Sequence, residues 1–345
     1  MNKSVLDLDH LSVSFDTKKG EVQAVRDVSL HINQGEILAI VGESGCGKTV
    51  MSQSIMKLLP KSARIKSGSI LLDGEDITNY SDKQMRQIRG NVVSMVFQDP
   101  MTTLNPTIPI GKQITEAILK HKKISKEEAK KRAIELLDLV GIEDAINRYY
   151  LQPHFFSGGM RQRSVLAIAL ALEPKVLLAD EPTTALDVTV QRKILDLLLE
   201  IRDKTGIAIV FISHDLGLVA QIADRVAVMY AGKIIEIGTA EEIFYQPAHP
   251  YTWGLMEALP TYSKNKKRLV TIPGMPPDLL HLPEGDAFAI RNRYALKIDY
   301  EKMPPMFEIS KTHYAATWLL DQRVPKIEPP VCIKRRQNER DNTRG

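Results

Sequence analysis

Apolar and polar positions alternate through the first forty residues. LDLDHLSVSF from Leu6, VQAVRDVSLHI from Val22 and the apolar run EILAIV up to Val41 read as three strands, separated by Lys-Lys-Gly and Asn-Gln-Gly turns. A helix is expected from Lys48 to Leu59, stopped by Pro60, and GSILLDGEDI (68–77) reads as a hairpin around an Asp-Gly turn. From Ile110 to about Leu172 the period changes. KEEAKKRAIELLDLVGI has apolar residues at helical spacing, a charged outer face and a closing glycine, Gly141. Strand character returns at KVLLAD, IAIVFIS and VAVMYAGKIIEIG, with the helix VQRKILDLLLEIRDKTG between the first two. Strands alternating with helices predict an α/β fold, and the helical stretch reads as an insertion in it.

Past Thr261 the texture shifts to SKNKKR and PGMPPDLLHLPEGD, rich in proline and charge. The expected division is a main domain over 1–260, with helical residues of roughly 100–172 inserted, a small loop-rich extension over 261–330, and a disordered basic tail over 331–345. No internal repeat or heptad run is present.

Composition narrows the class. With 345 residues, 43% hydrophobic and 26% charged, the chain has an ordinary globular make-up, and its net charge of +4 gives no reason to expect nucleic acid as a partner. Two cysteines, Cys46 and Cys332, exclude a disulfide framework. The opening MNKSVLDLDH lacks the apolar core of a signal peptide, and no stretch approaches the roughly 20 apolar residues of a membrane helix. The expectation is a cytoplasmic chain whose membrane association comes through a partner.

The candidate chemistry is concentrated at strand ends. Gly42-Glu43-Ser44-Gly45-Cys46-Gly47-Lys48-Thr49 follows the strand EILAIV and opens a helix, which is the context of a phosphate-binding P-loop. Its glycines let backbone N–H groups curl around phosphate oxygens, Lys48 supplies a positive charge, and the Thr49 hydroxyl can ligate Mg²⁺. VLLAD ends in Asp180 and Glu181, an Mg²⁺-holding carboxylate and a general base for an attacking water. An Asp-Glu pair after a strand is ordinarily a solvated strand end; following a P-loop strand and preceding Pro-Thr-Thr-Ala-Leu-Asp, it reads as catalytic. Ser157-Gly158-Gly159-Met160-Arg161-Gln162 opens another helix and forms a second anion cradle, this one without a lysine.

Two cradles and one lysine make the chain resemble the ABC ATPase family. The resemblance implies a P-loop core, with a RecA-like mixed sheet, an antiparallel β subdomain and a helical insertion. In that family the Ser-Gly-Gly signature of one subunit closes over the ATP held by another, which assigns Ser157, Gly158, Gly159, Met160 and Gln162 to a partner's nucleotide. Gln98 in VFQDP matches the Q-loop glutamine that contacts Mg²⁺. Asp187 matches the D-loop, and His214 in FISHD the switch histidine that contacts the γ-phosphate. Phe15 in VSF occupies the adenine-stacking position. Departures are mild: Cys46 stands where serine is usual in the P-loop, and Phe156 where leucine usually precedes the signature serine.

FQDPMTTLNP, Pro153-His154 before FFSGGMRQR, EPTTALDVTVQ, QPAHPYTWGL and IPGMPP further resemble the oligopeptide/dipeptide importer ATPases, a group that shares these motifs with nickel importers. The resemblance implies a second, homologous ATPase, two transmembrane permease subunits and an extracytoplasmic peptide-binding protein, with this subunit peripheral on the cytoplasmic face of the membrane. Many members carry an iron–sulfur cluster on extension cysteines; the matching positions here are Asp286, Asn292, Asp299 and Thr317, so no cluster is expected. The extension is expected to be held by Phe288, Tyr294, Phe307 and Trp318. Soluble ABC ATPases acting on DNA or ribosomes are the rival class. A DNA-repair member needs long coiled coils between its motifs, and a translation factor needs two cassettes.

Overall fold

The computed structural model describes residues 3–97, 99, 103–184, 186–259, 271–327 and 329–330. Gln98, Cys332 and the basic tail lie outside the described residues. The alternating N-terminus forms β1 (Ser4–Thr17) and β2 (Gly20–Asn33), an antiparallel pair. β3 (Ile37–Val41) leaves this layer and runs into α1 (Lys48–Ile55). The chain then returns in β4 (Ala63–Leu72), antiparallel to β1, with β5 (Glu75–Asp76) folded back across Asp73 and Gly74. Both turn residues have positive φ, 52° and 86°, the two-residue turn expected for Asp-Gly.

α2 (Asp82–Ile88) and β6 (Val93–Val96) come next and were not evident in the pattern, because α2 buries only Met85 and β6 is four residues long. The helical insertion comprises α3 (Ile110–His121), α4 (Lys126–Leu139), α5 (Ala145–Arg148) and α6 (Gly158–Ala169) among the described residues. A Ser125–Glu128 capping box starts α4, satisfying end N–H groups that the helix itself cannot. β7 (Val176–Asp180), α7 (Val188–Thr205), β8 (Ala208–Ser213) and α8 (Leu216–Ile222) then alternate, as the sequence pattern requires. VAVMYAGKIIEIG folds as a hairpin, β9 (Arg225–Tyr230) and β10 (Lys233–Thr239), turning at Ala231 and Gly232.

The central sheet has eight strands in the order β11 (Phe307–Glu308), β12 (Tyr314–Ala315), β10, β9, β3, β8, β7, β6, and from β9 to β6 it is parallel. Burial on both faces explains the unbroken apolar runs in β3 and β7. Ile37, Ala39 and Val41 face the core shared with the helical insertion, while Leu38 and Ile40 face the core under the antiparallel sheet. Fold class and architecture match the sequence reading: an α/β core with an antiparallel β layer and a helical insertion.

The C-terminal part continues through α9 (Ala240–Tyr245), α10 (Pro250–Glu257) and α11 (Lys297–Glu301) to β11 (Phe307–Glu308) and β12 (Tyr314–Ala315). β12 pairs with β10 and β11 with β12, so residues 307–315 supply two strands at one edge of the central sheet. The four aromatics expected to hold the extension do not form one cluster. Phe288 packs edge-on against Tyr230 and Tyr251, Tyr294 against Trp253, and Phe307 against Trp318. Three of these four ring contacts reach residues before 261, namely Tyr230, Tyr251 and Trp253.

Candidate nucleotide site

Three adjacent parallel strands deliver the candidate chemistry to one edge. β3, β8 and β7 are neighbours, with Val41 opposite Ser213 and Asp180 opposite Ile212. The residues just past their C-terminal ends are Gly42, His214 and Glu181, so the sheet itself gathers segments far apart in sequence. Carboxyl ends of parallel strands are where α/β sheets bind ligands.

The phosphate loop adopts a backbone that only glycine tolerates at two places. Gly42 has φ +154°, and a Cβ there would lie 2.1 Å from the Met229 carbonyl oxygen; at Gly47, with φ +108°, it would lie 2.3 Å from that of Ala24. Ser44, Gly45 and Thr49 are exposed at the crest, whereas Cys46 and Lys48 are buried. The Lys48 ammonium donates to the carbonyls of Gly42 (2.8 Å) and Glu43 (2.9 Å). The Cys46 amide donates within the loop to the Glu43 carbonyl, and burial pushes its thiol pKa up, leaving a small, protonated side chain at the position where serine is usual.

Asp180 is 4% exposed, and its Oδ1 is buried without a hydrogen-bond partner. Burial raises its pKa, helped by the neighbouring Glu181 charge and opposed by the Thr49 hydroxyl and Lys48. Glu181 sits in the left-handed region at φ 48°, held by its N–H bond to the Ile212 carbonyl. His214 Nδ1 lies 3.0 Å from Glu181 Oε1, and Thr184 Oγ1 donates to Oε2 at 3.0 Å. Partial burial pulls the Glu181 pKa up, but the bonds to His214 and Thr184 outweigh it, and the carboxyl ends below the usual glutamate value. His214 is the open member of the pair, with 61% of its side chain exposed against 18% for Glu181.

Phe15 is half-buried near the end of β1, opposite Val22 and Ala63. Ser157 caps α6 by accepting from Met160 N, and the side chains nearest to Gly158 and Gly159 are Leu186 and Val190. Asp187 likewise caps α7, bonding Val190 N at 2.9 Å. Ser157, Gly158 and Asp187 are exposed, so two capped helix starts face solvent side by side. Gln162 differs from the others: its side chain is 1% exposed and turned into the domain. Phe156 is buried at the core, with the Arg148 guanidinium 5.9 Å from its ring centre.

Arg291 was absent from the sequence reading. It comes from the extension and makes a two-pronged ion pair with Glu43 of the phosphate loop, at 2.6 and 2.9 Å. The partners are 248 positions apart, and while Glu43 belongs to the phosphate loop, no local pattern marks Arg291. The four positions matched to cluster cysteines are all buried, and each side chain accepts a nearby backbone N–H: Asp286 from Phe288, Asn292 from Tyr294, Asp299 from Leu296 and Thr317 from Leu319.

Residues 25–184 match the ABC transporter family, and residues 235–298 match the oligopeptide/dipeptide transporter C-terminal region. The oligopeptide transport ATP-binding protein OppD of Bacillus subtilis is 57% identical, covering 98% of this chain and 95% of that protein. The dipeptide transport ATP-binding protein DppD of Lactococcus lactis is 53% identical over 99% of both. Among solved structures, the ATP-binding cassette MJ0796, a dimer in a post-hydrolysis state with ADP and Pi, superposes with a TM-score of 0.61. It is 27% identical and covers 68% of this chain and 98% of that one. A cassette of a Clostridium perfringens ABC transporter complex gives the same TM-score at 30% identity, over 71% of this chain and 91% of its own. The chain therefore belongs to the ABC transporter ATP-binding proteins, in the branch defined by the oligopeptide/dipeptide transporter C-terminal region.

Proposed function

We propose that this ATPase powers the import of oligopeptides or dipeptides through a membrane permease. The observation that carries the reading is the Glu181–His214 pair, 3.0 Å apart, set beside Lys48 and Asp180 at one edge of three adjacent strands. The carriage of peptides rests on the relatives, which are named for oligopeptide and dipeptide transport.

Glu181, ionised because its pKa is depressed, takes a proton from water as the water oxygen bonds to the γ-phosphorus and the bond to the ADP oxygen breaks. Lys48 and the His214 imidazole stabilise charge on the phosphoryl oxygens, and the loop's N–H groups hold the β-phosphate. Phe15 offers its ring to adenine. Mg²⁺ fits the residues present: Asp180 Oδ1 is buried and unpartnered, and the Thr49 hydroxyl lies beside that carboxyl. Bound there, it would neutralise phosphate charge. Gln98 is assigned to the same ion by sequence alone.

The signature at Ser157–Met160 and the D-loop Asp187 serve the nucleotide of a second, homologous ATPase, and the partner's signature completes this site. Gln162 supports that segment from inside. ATP-driven closure of the pair biases two permease subunits between orientations, and an extracytoplasmic binding protein delivers peptide. Among the described residues no helix is long and apolar enough to cross a membrane, in keeping with a peripheral subunit on the cytoplasmic face. Two carboxylates, an amide and a hydroxyl do not fit an iron–sulfur cluster, which takes thiolates. In this reading the chain divides into a main domain over 1–260, a C-terminal extension over 261–330 and a basic tail over 331–345.

The test is uptake of labelled peptides and of nickel by cells carrying the native chain or Glu181→Gln. Loss of peptide uptake alone supports the proposal. Loss of nickel uptake alone moves the chain to metal import, and unchanged uptake of both refutes a role in either.

A further inference from the structure

Glu43 is fixed at three points. Its amide donates to Tyr251 Oη at 2.9 Å, its carbonyl accepts from Lys48 Nζ at 2.9 Å, and its carboxylate receives both prongs of Arg291. Arg291 is itself held in place. Nε donates to the Pro273 carbonyl at 2.8 Å, and Nη1 reaches Tyr230 Oη at 3.2 Å. The Arg291 side chain is 4% exposed, against 27% for Glu43.

A carboxylate in a loop that must accept a triphosphate works against binding unless it is neutralised. Released from its partner it repels the ligand, and free to turn it loosens the exposed crest at Ser44 and Gly45. We propose that Arg291 is a positioning residue for ATP: by neutralising and orienting Glu43 it holds the phosphate loop in its binding shape, so the C-terminal extension sets ATP affinity in the main domain. The inference rests on the reading that this loop binds ATP. A fork of two parallel bonds from a planar, permanently charged group suits this task; an ammonium could supply the charge but not the fixed parallel geometry.

The test compares the native full-length chain with Arg291→Gln, Arg291→Lys, Glu43→Gln and the double variant Glu43→Gln/Arg291→Gln. Kd for ATP is measured by titration, and KM and kcat in the assembled transporter. Arg291→Gln is expected to raise Kd and KM about tenfold with kcat within about twofold, because binding rather than chemistry is affected. Arg291→Lys is expected to raise both about threefold, and the double variant to recover most of the loss, since a neutral pair neither repels nor needs pairing. A tether with only a structural role would lower the thermal midpoint and leave Kd where it was.

Unchanged Kd in Arg291→Gln, with ATP bound normally by the native chain, overturns the inference and leaves the ATP site standing. Failure of the native chain to bind ATP overturns the site itself. A double variant as weak as Arg291→Gln overturns the route through Glu43. If Arg291→Gln does not fold, Arg291→Lys decides: native affinity refutes the inference and the threefold rise supports it.

Discussion

Removing the Phe288 ring should weaken the packing between the C-terminal part and the Tyr230–Tyr251 region. The side chain is 2% exposed and meets Tyr230 and Tyr251 at ring separations of 5.3 and 5.4 Å, with His249 at 5.8 Å. A buried Phe removes about 150–200 Å² from water, worth about 4–5 kcal/mol at about 25 cal/mol per Å². Truncation to Ala keeps the Cβ but leaves a cavity that rigid aromatic neighbours cannot fill, so Phe288→Ala should cost about 4 kcal/mol. Urea unfolding followed by tryptophan fluorescence reads this directly. Of the two tryptophans, Trp253 sits at the joint against Tyr294, and Trp318 packs on Phe307 within the C-terminal part. With a urea slope of about 3 kcal/mol/M, the midpoint should fall by more than about 1 M. Phe288→Leu, which keeps most of the volume, should lose about a third of that. A Phe288→Ala midpoint within about 0.2 M of native would refute the reasoning.

Replacing Glu181 with Gln preserves shape, and both neighbours can adapt, since the Thr184 hydroxyl and the His214 ring can each donate or accept. Phosphate release should fall about 10²–10⁴-fold while ATP affinity stays within about twofold, and turnover at the native rate would remove Glu181 from the base role. Gly42→Ala should abolish ATP binding, because its Cβ would sit 2.1 Å from backbone; native affinity in a titration would show that the loop can reshape. Glu242 joins α9 to the extension through Ser310 and Thr312, and these bonds, with those from Thr239, overcome partial burial to bring its pKa down to about 2. A depressed carboxyl stabilises the fold above its unfolded value near 4.5 and loses that contribution as pH falls towards 2. After allowance for solvent screening, Glu242→Gln should cost about 1 kcal/mol at pH 7 and nothing near pH 2, as measured by chemical denaturation at both pH values.

The parts of this protein legible in its sequence are those where local order and chemistry coincide. Gly42–Thr49, Asp180–Glu181 and His214 each follow an apolar strand, and the parallel sheet then has little choice but to bring them together. Short elements were not legible: β12 is two residues, and its pairing with β10 depends on distant chain rather than on its own pattern. Gln162 shows a different limit. It shares a motif with Ser157, but Ser157 is the exposed cap of α6 whereas Gln162, five positions further on and within the helix, is buried. Arg291 shows a third, since charged residues are common on surfaces and only the folded chain reveals which one is buried against Glu43.

The strands that finish one edge of the central sheet are made after every nucleotide motif. A nascent chain ending near Lys302 already carries every nucleotide motif, yet its β10 lacks the partner whose Ala316 amide bonds the Ile235 carbonyl at 2.7 Å. It also lacks His313, which meets the wholly buried Glu236 at 2.8 Å. On the ribosome, the ATPase unit therefore passes through an interval with an open hydrogen-bonding edge and a carboxylate short of a partner. Open edges recruit strands from other chains. Truncation after the last ATPase motif should therefore trade a smaller protein for one prone to aggregate, and chaperone demand should peak just before residues 313–316 leave the exit tunnel.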